Sequence, residues 1–162
     1  VGLATAKTLA HELGVPIVGV STGQALLAAS AAGRGTVPVA AGVDDQGRPA
    51  ERFVLLMPAG PNDRLVLRTG EAPELLPGGS EPEIAGGEAL VAVDLDGRAP
   101  VDALERGTAA RDGLALALLR IGAARLAAGD VDDLARLVPE YVSLPRGVRA
   151  ERGEVEWSRD HR

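Results

Sequence analysis

Apolar and small residues recur at helical spacing from the beginning of the chain. The repeating positions are Gly2, Ala6, Leu9 and Leu13. They predict a helix over residues 1–13 with one narrow packing face, because positions three and four apart lie on the same side of a helix. Gly14 stands where a left-handed cap ends such a helix, and Pro16 prevents its continuation.

A short apolar run with β-branched residues follows this stop. Residues 17–20, Ile-Val-Gly-Val, predict a buried strand. Ser21 and Gln24 then have the spacing of a capping box for a second helix that continues through Ala32. The chain therefore begins with a predicted α-β-α unit.

The middle of the chain changes to extended patterns. Strands are predicted at residues 36–43, 52–57 and 65–68, and the turn-forming residues between them favour consecutive antiparallel pairing. Residues 69–88 are rich in proline and glycine without a sustained period, which indicates an irregular surface loop. A further strand is predicted at residues 89–95.

Helical periodicity returns after this strand. A short helix is predicted from Pro100 to Arg106, followed by a break at Gly107 and by a long helix from an N-cap at Thr108 to Gly129. The apolar stripe of the long helix consists of Leu114, Ala117, Leu118, Ile121, Ala124 and Leu126. Such a stripe predicts a helix that covers a core.

The last predicted element is a short helix over residues 131–138, which Asp130 caps and Pro139 stops. The predicted order is thus α-β-α, three strands, a loop, one strand and further helices. This order predicts an α/β fold in which one complete small lobe is preceded by the end of another.

The composition excludes several classes of protein. With 46% hydrophobic residues the chain is not disordered, and no segment approaches the run of about 20 apolar residues that a membrane span requires. A formal net charge of −6 disfavours a chain that binds nucleic acid alone through its phosphates. The absence of cysteine excludes disulfides and cysteine metal sites, and it fits a cytoplasmic protein.

No residue pattern in the chain predicts catalysis or cofactor binding. His11 has no histidine or cysteine three or four positions away, so a solvent-facing or interface role is favoured over metal binding. Residues 94–97, Asp-Leu-Asp-Gly, are interpreted as a turn after a strand rather than as a magnesium site. Ser21 lacks a Gly-x-Ser-x-Gly setting and is interpreted as a helix cap. We therefore expect no catalytic, cofactor-binding or metal-binding residue.

Two stretches of the chain resemble a known family. Residues 1–22, and residues 126–142 with their closing Pro-Glu-Tyr-Val run, resemble the corresponding segments of the TsaB family. TsaB proteins are the non-catalytic members of the bacterial machinery that installs threonylcarbamoyl on the adenosine beside the tRNA anticodon. In that family a Gly-Pro-Gly-Ser-Phe-Thr-Gly-Leu-Arg run precedes the first helix, so the resemblance implies that this chain is truncated at its N-terminus. The middle of the chain matches the family less well.

The resemblance implies a fold and a division into domains. The family consists of two actin-like lobes, which have the ribonuclease H-like fold. Residues 1–34 would form the end of the first lobe, residues 35–142 the second lobe, and residues 143–162 a C-terminal tail.

The resemblance also implies a function and its partners. The chain would be a scaffold or dimerisation subunit without catalytic activity of its own, and it would support TsaD in the modification of tRNA. Its expected partner is a TsaD-like protein in a heterodimer, with a TsaE-like ATPase reached through the complex and a homodimer as a further arrangement. Contact with tRNA would be indirect, no membrane would be involved, and the location would be the cytoplasm.

The first two predicted helices are the expected contact surface, since in TsaB proteins the matching pair packs against the equivalent helices of TsaD or of a second TsaB. The candidate partner-binding residues are Lys7, Thr8, His11 and Gln24. The leucines of these helices, Leu9, Leu13, Leu26 and Leu27, are expected to cover their own sheet instead. Trp157 is a further interface candidate, because aromatic anchors are common in interfaces.

Two other functions remain open at the level of the sequence. One is a divergent actin-fold transferase or kinase whose nucleotide and metal site lies in the missing N-terminal segment. The other is a structural lobe that has no TsaD partner.

Overall fold

The structure is a computed structural model that describes residues 2–32 and 52–139. The predicted strand 36–43, the predicted tail 143–162 and its Trp157 lie outside the described residues, as does the proposed boundary near residue 34. The described elements are α1 (Gly2–Leu13), α2 (Thr22–Ala32), β1 (Arg52–Pro58), β2 (Arg64–Arg68), β3 (Glu74–Leu76), β4 (Glu88–Ala92) and α3 (Val101–Ala127). This mixture of helices and strands confirms the predicted α/β class.

The four strands form one mixed sheet in the order β3-β2-β1-β4. β1 and β2 pair antiparallel, as the sequence predicts, with Val54 opposite Arg68. β4 pairs with β1 in parallel, so the chain crosses over between β3 and β4.

The prediction that residues 69–88 are irregular throughout is wrong at one place. β3 lies within this stretch and pairs antiparallel with β2, with Leu75 opposite Leu65. The loop that follows is held by Arg64, a buried arginine of β2 whose guanidinium donates to the Ser80 carbonyl oxygen and lies 3.3 Å from a carboxylate oxygen of Glu81. Long-range bonds of this kind order a segment that has no periodicity of its own.

β1 is the central strand and is buried on both faces of the sheet. Its continuous apolar run, residues 53–56, is the pattern of a strand that is covered on both sides. On one face Phe53 and Leu55 pack with residues of α2 and of the middle of α3. On the other face Val54 and Leu56 pack with Leu95 and with the first turn of α3. The described part of the protein therefore has two apolar cores, one on each face of the sheet.

α3 reaches both cores because it passes over the edge of β4 that pairs with no other described strand. Ala103, near its beginning, belongs to one core, whereas Ala110 and Ala117 belong to the other. Between them Gly107 lies so close to β4 that a Cβ atom there would overlap the carbonyl oxygen of Ala92. The helix is thus continuous from Val101 to Ala127.

The predicted break at Gly107 and the predicted cap at Thr108 are therefore wrong. The glycine permits close packing against a strand instead of ending a helix. The Thr108 hydroxyl donates to the Leu104 carbonyl oxygen one turn earlier, so it lies within the helix. Next to it Arg106 Nε donates to the Leu90 carbonyl oxygen at 2.6 Å and covers the edge of β4.

The predicted turn after β4 is confirmed, although β4 ends at Ala92 rather than at residue 95. The Arg98 N–H donates to the Leu95 carbonyl oxygen at 2.8 Å, and both Asp94 and Gly97 have positive φ. The Asp94 carboxylate accepts a hydrogen bond from Arg111 Nη1 at 2.8 Å. This carboxylate therefore joins the turn to α3.

Two glycines of α3 provide a matched test of this packing. We expect Gly107→Ala to lower the free energy of unfolding by about 3 kcal/mol, since the added methyl group forces the helix away from β4. Gly122→Ala is the control, because its Cβ would meet only Val20 Cγ2, at 4.0 Å. The control is expected to raise stability by up to about 1 kcal/mol through helix propensity. Urea unfolding followed by circular dichroism measures both, and equal effects of the two substitutions would contradict the packing argument.

Candidate interaction surface

α1 ends in the cap that its sequence predicts. Gly14 has a φ of 62°, the Gly14 N–H donates to the His11 carbonyl oxygen, and the Val15 N–H donates to the Ala10 carbonyl oxygen. This pair of bonds is the Schellman motif, which satisfies the last carbonyls of a helix. Val15 is therefore fixed to α1 rather than to the segment after it.

The orientation of α1 differs from the prediction. Its inner side consists of Leu3, Lys7 and Ala10, of which Ala10 is buried and the other two are half-buried. The predicted packing face is exposed instead, with Leu9 at 56% and Leu13 at 69% exposure. The three inner positions lie four and three residues apart and so form one side of the helix. This side differs from the predicted packing face, so α1 is rotated about its axis relative to the predicted orientation.

The expectation that Leu9 and Leu13 cover their own sheet is therefore wrong, whereas the same expectation is confirmed for Leu26 and Leu27. Both leucines of α2 are buried in the core that includes Leu55. The difference has a physical cause: the predicted strand at residues 17–20 does not form, so no strand from this segment lies beside α1.

Residues 17–20 are held by side chains instead of by a sheet. The Gly19 N–H donates to Asp132 Oδ2 at 2.6 Å, and the Gly19 carbonyl oxygen accepts from Arg125 Nη1 at 2.6 Å. The Asp132 N–H donates to the Ile17 carbonyl oxygen at 3.0 Å. We call Gly19, Arg125, Asp130 and Asp132 the polar clamp.

Asp130 belongs to the clamp because both of its carboxylate oxygens accept from Arg125, at 2.6 and 3.1 Å. This hydrogen bond raises the pKa of Arg125 and lowers the pKa of Asp130. With Asp130 engaged in this way, the predicted cap and helix over residues 131–138 are wrong. A single turn forms there, in which the Leu137 N–H donates to the Asp133 carbonyl oxygen.

Gly19 lies close to the side chain of Leu137, which would have to move to admit a larger residue in the clamp. A Cβ atom at Gly19 would lie 2.8 Å from Leu137 Cδ1, inside van der Waals contact. Leu137 also accepts, through its carbonyl oxygen, a hydrogen bond of 2.9 Å from Lys7 Nζ. The turn at residues 133–137 thus contacts both α1 and the segment that follows it.

The candidate partner-binding residues lie on two helices. Lys7 is half-buried and engaged with Leu137, and the Thr8 hydroxyl donates to the Ala4 carbonyl oxygen of its own helix. His11 is exposed one turn after Lys7, on the same side of α1. Gln24 is exposed on the first turn of α2. The structure thus brings three of the four together on α1.

Sequence reasoning missed the most exposed apolar residues of this region. Leu9, Leu13 and Val15 form an apolar surface at the end of α1, which we call the α1 surface. A second set, Leu116, Leu119 and Leu126, is exposed on the outer side of α3. The predicted apolar stripe of the long helix is thus confirmed for Leu114, Ala117, Leu118 and Ile121, which pack in or against the core, and is wrong for the exposed Ala124 and Leu126. The helical spacing of Leu9 with Leu13, and of Leu116 with Leu119, could be found in the sequence, but the exposure of these leucines depends on how each helix is rotated.

A shallow cleft of about 490 Å³ lies elsewhere, on the sheet. Its lining residues are Arg68, Glu83, Ile84, Ala85 and Glu88. The Arg68 guanidinium donates to the Glu83 carbonyl oxygen at 2.6 Å and forms an ion pair of 3.7 Å with Glu88. The polar groups of this cleft are therefore bonded to one another.

Within residues 2–32 and 52–139, no three histidine or acidic side chains come together as metal ligands would. None of the helices in the same ranges combines the length and the apolar character needed to cross a membrane.

Comparisons with protein-family models, with curated proteins and with solved structures find no match to this chain. The α1 surface is the candidate site because Leu9 and Leu13 are exposed on a regular helix that ends in a cap.

The clamp predicts a pH dependence of stability. Because the folded pKa of Asp130 lies below the unfolded value of about 3.9, its ionised form stabilises the fold above that pH, and the stabilisation is lost as the pH falls through the folded pKa. The difference in unfolding free energy between wild type and Asp130→Asn is therefore expected to be constant above about pH 5 and to shrink below about pH 4.

Urea unfolding of both proteins at several pH values measures this difference. In an Arg125→Met background, which removes the hydrogen-bond donor, Asp130→Asn is expected to lose this pH-dependent effect. A difference that stays constant down to pH 3 would show that Asp130 does not interact with Arg125 in solution.

Proposed function

We propose that this chain is a non-catalytic scaffold of the TsaB type, which binds a TsaD-like protein through the α1 surface and so supports threonylcarbamoyl transfer to tRNA. The observation that carries the proposal is the exposure of Leu9 and Leu13 on a regular, capped helix. A helix of this kind can place an apolar side against a groove or against another helix.

The position of the two family-like segments supports the proposal. Residues 1–22 and 126–142 are far apart in the chain, but their described parts are joined by three hydrogen bonds: Lys7 with Leu137, Ile17 with Asp132, and Gly19 with Asp132. Segments that resemble one family are expected to pack together if they belong to one protein of that family, and under the proposed division these bonds would join the end of the first lobe to the second lobe. The actin-like fold and the division into lobes at residue 34 are part of this proposal.

Electrostatics supports an indirect role at tRNA. The net charge of −6 opposes binding to a phosphate backbone, so the contact with tRNA would belong to the partner. The α1 surface itself combines apolar residues with the exposed Thr8 and Glu12 along its border. Such a border is typical of protein interfaces, in which a polar rim surrounds an apolar centre.

Two pairs of leucines allow the proposal to be tested with a matched control. Leu9→Gln with Leu13→Gln changes the α1 surface, where the side chains are 56% and 69% exposed. Leu116→Gln with Leu119→Gln makes the same change on α3, where they are 51% and 70% exposed. The measurement is the affinity of each protein for the TsaD-like protein of the same source, by calorimetry.

We expect the α1 pair to weaken binding by about 100-fold or more, because each leucine buried in an interface contributes roughly 1.5–3 kcal/mol. The α3 pair is expected to leave binding unchanged, and each exposed change should alter stability by about 0.5 kcal/mol or less. Loss of binding in the α3 pair alone would overturn the assignment of the surface. Absence of binding by the wild-type protein would overturn the scaffold proposal and favour the transferase or kinase alternative.

A further inference from the structure

We infer that α1 is a latched arm, which opens from the rest of the protein as one unit, turns at Pro16 and is held closed by the hydrogen bond from Lys7 to Leu137. The inference deepens the proposed function, on which it rests only for the identity of the partner that the opened helix would bind.

The first step is the small burial of α1. Ala10 is its one buried residue, whereas α2, of nearly the same length, has five. Both large leucines of the C-terminal half of α1 are exposed. Elements that bury little apolar surface open at a lower free-energy cost than the core does. α1 is therefore expected to open without unfolding of the two cores.

The second step is the position of the turning point. Val15 is bonded to Ala10 and moves with the helix, whereas Ile17 and Gly19 are bonded to Asp132 and remain with the body. Pro16 lies between these two fixed points and is exposed. Proline has no N–H group, so a change of direction there leaves no hydrogen-bond donor unsatisfied at this residue.

The third step is the latch. Lys7 Nζ donates to the Leu137 carbonyl oxygen at 2.9 Å, in a half-buried position on the inner side of α1. A hydrogen bond from an ammonium group is stronger than one between neutral groups. Leu137 itself belongs to the turn that follows Asp132, a residue bonded to Gly19 and to Arg125 of α3, so the latch joins the arm to a fixed part of the body.

Opening would change the surface that α1 presents. Leu3 and Ala10, which face the body in the closed form, would join Leu9 and Leu13 on an accessible helix. A partner that contacts both sides of the helix would bind the open form better and would shift the population towards it. Lys7 is then a positioning residue, because it sets how much of α1 is available and need not contact the partner.

Hydrogen exchange of the intact chain gives the first test. Once released from the body, a helix of 12 residues frays transiently, so its amides exchange from the open form. In the wild type, the amides of α1 are therefore expected to exchange at least about 100-fold faster than those at Leu26 and Leu27 of α2. Lys7→Met, which removes the donor, should accelerate exchange in α1 by about tenfold and leave α2 and β1 unchanged. Lys7→Arg, which restores a donor, should return α1 close to wild-type exchange. Equal exchange of α1 and α2 in the wild type, or equal acceleration of both by Lys7→Met, would overturn the inference.

A distance measurement separates movement of the helix as a unit from its local unfolding. The chain has no cysteine, so Glu12→Cys and Arg120→Cys can carry two spin labels without background labelling. Double electron–electron resonance should show two distances, with the longer one more populated after Lys7→Met and unchanged helix content by circular dichroism. A single distance in both proteins, or a loss of helix content, would overturn the inference. Both experiments use the chain without a partner, so their outcome is independent of whether a TsaD-like protein binds.

Discussion

The passage of α3 across the edge of β4 is the constraint on which the rest of the structure depends. Because Gly107 has no side chain, the helix backbone lies against the Ala92 carbonyl oxygen, and one continuous helix serves the cores on both faces of the sheet. The same crossing places Arg106 on the Leu90 carbonyl oxygen and covers an edge that would otherwise be open to another strand. A side chain at position 107 would therefore weaken two cores and uncover one edge together.

Elements whose pattern is complete within a short stretch could be predicted from the sequence. The spacing of Gly2, Leu9 and Gly14 is enough to predict α1 and its cap, and the turn-forming residues between β1 and β2 are enough to predict their antiparallel pairing. The break predicted at Gly107 is wrong because the role of this glycine depends on a contact that is distant in the sequence. A glycine in a helix has the same local signature whether it ends the helix or admits a neighbouring strand, and the difference lies in a residue fifteen positions away, Ala92.

The candidate site could be predicted only in part, because its position depends on contacts between residues that are distant in the sequence. The sequence indicates that α1 carries both polar and apolar positions, but the rotation of α1 is decided by Lys7 and by the polar clamp, whose members are distant in the chain. Residues 17–20 have the pattern of a strand and 131–138 the pattern of a helix, yet each segment binds the other through Gly19 and Asp132. Hydrogen bonds between the two segments outweigh the local preference of each.

The distribution of burial separates a body from an arm, and this separation bears on the proposed scaffold role. The body keeps Leu26 and Leu55 fully inside, so its shape does not depend on α1. The free chain already exposes Leu9 and Leu13, so a partner gains roughly 1.5–3 kcal/mol for each leucine it covers without first unfolding any core. A scaffold that must bind and release another protein needs both a stable body and an apolar surface that is already exposed. A surface buried in its own core would have to be exposed before each encounter, and this would lower the folding stability.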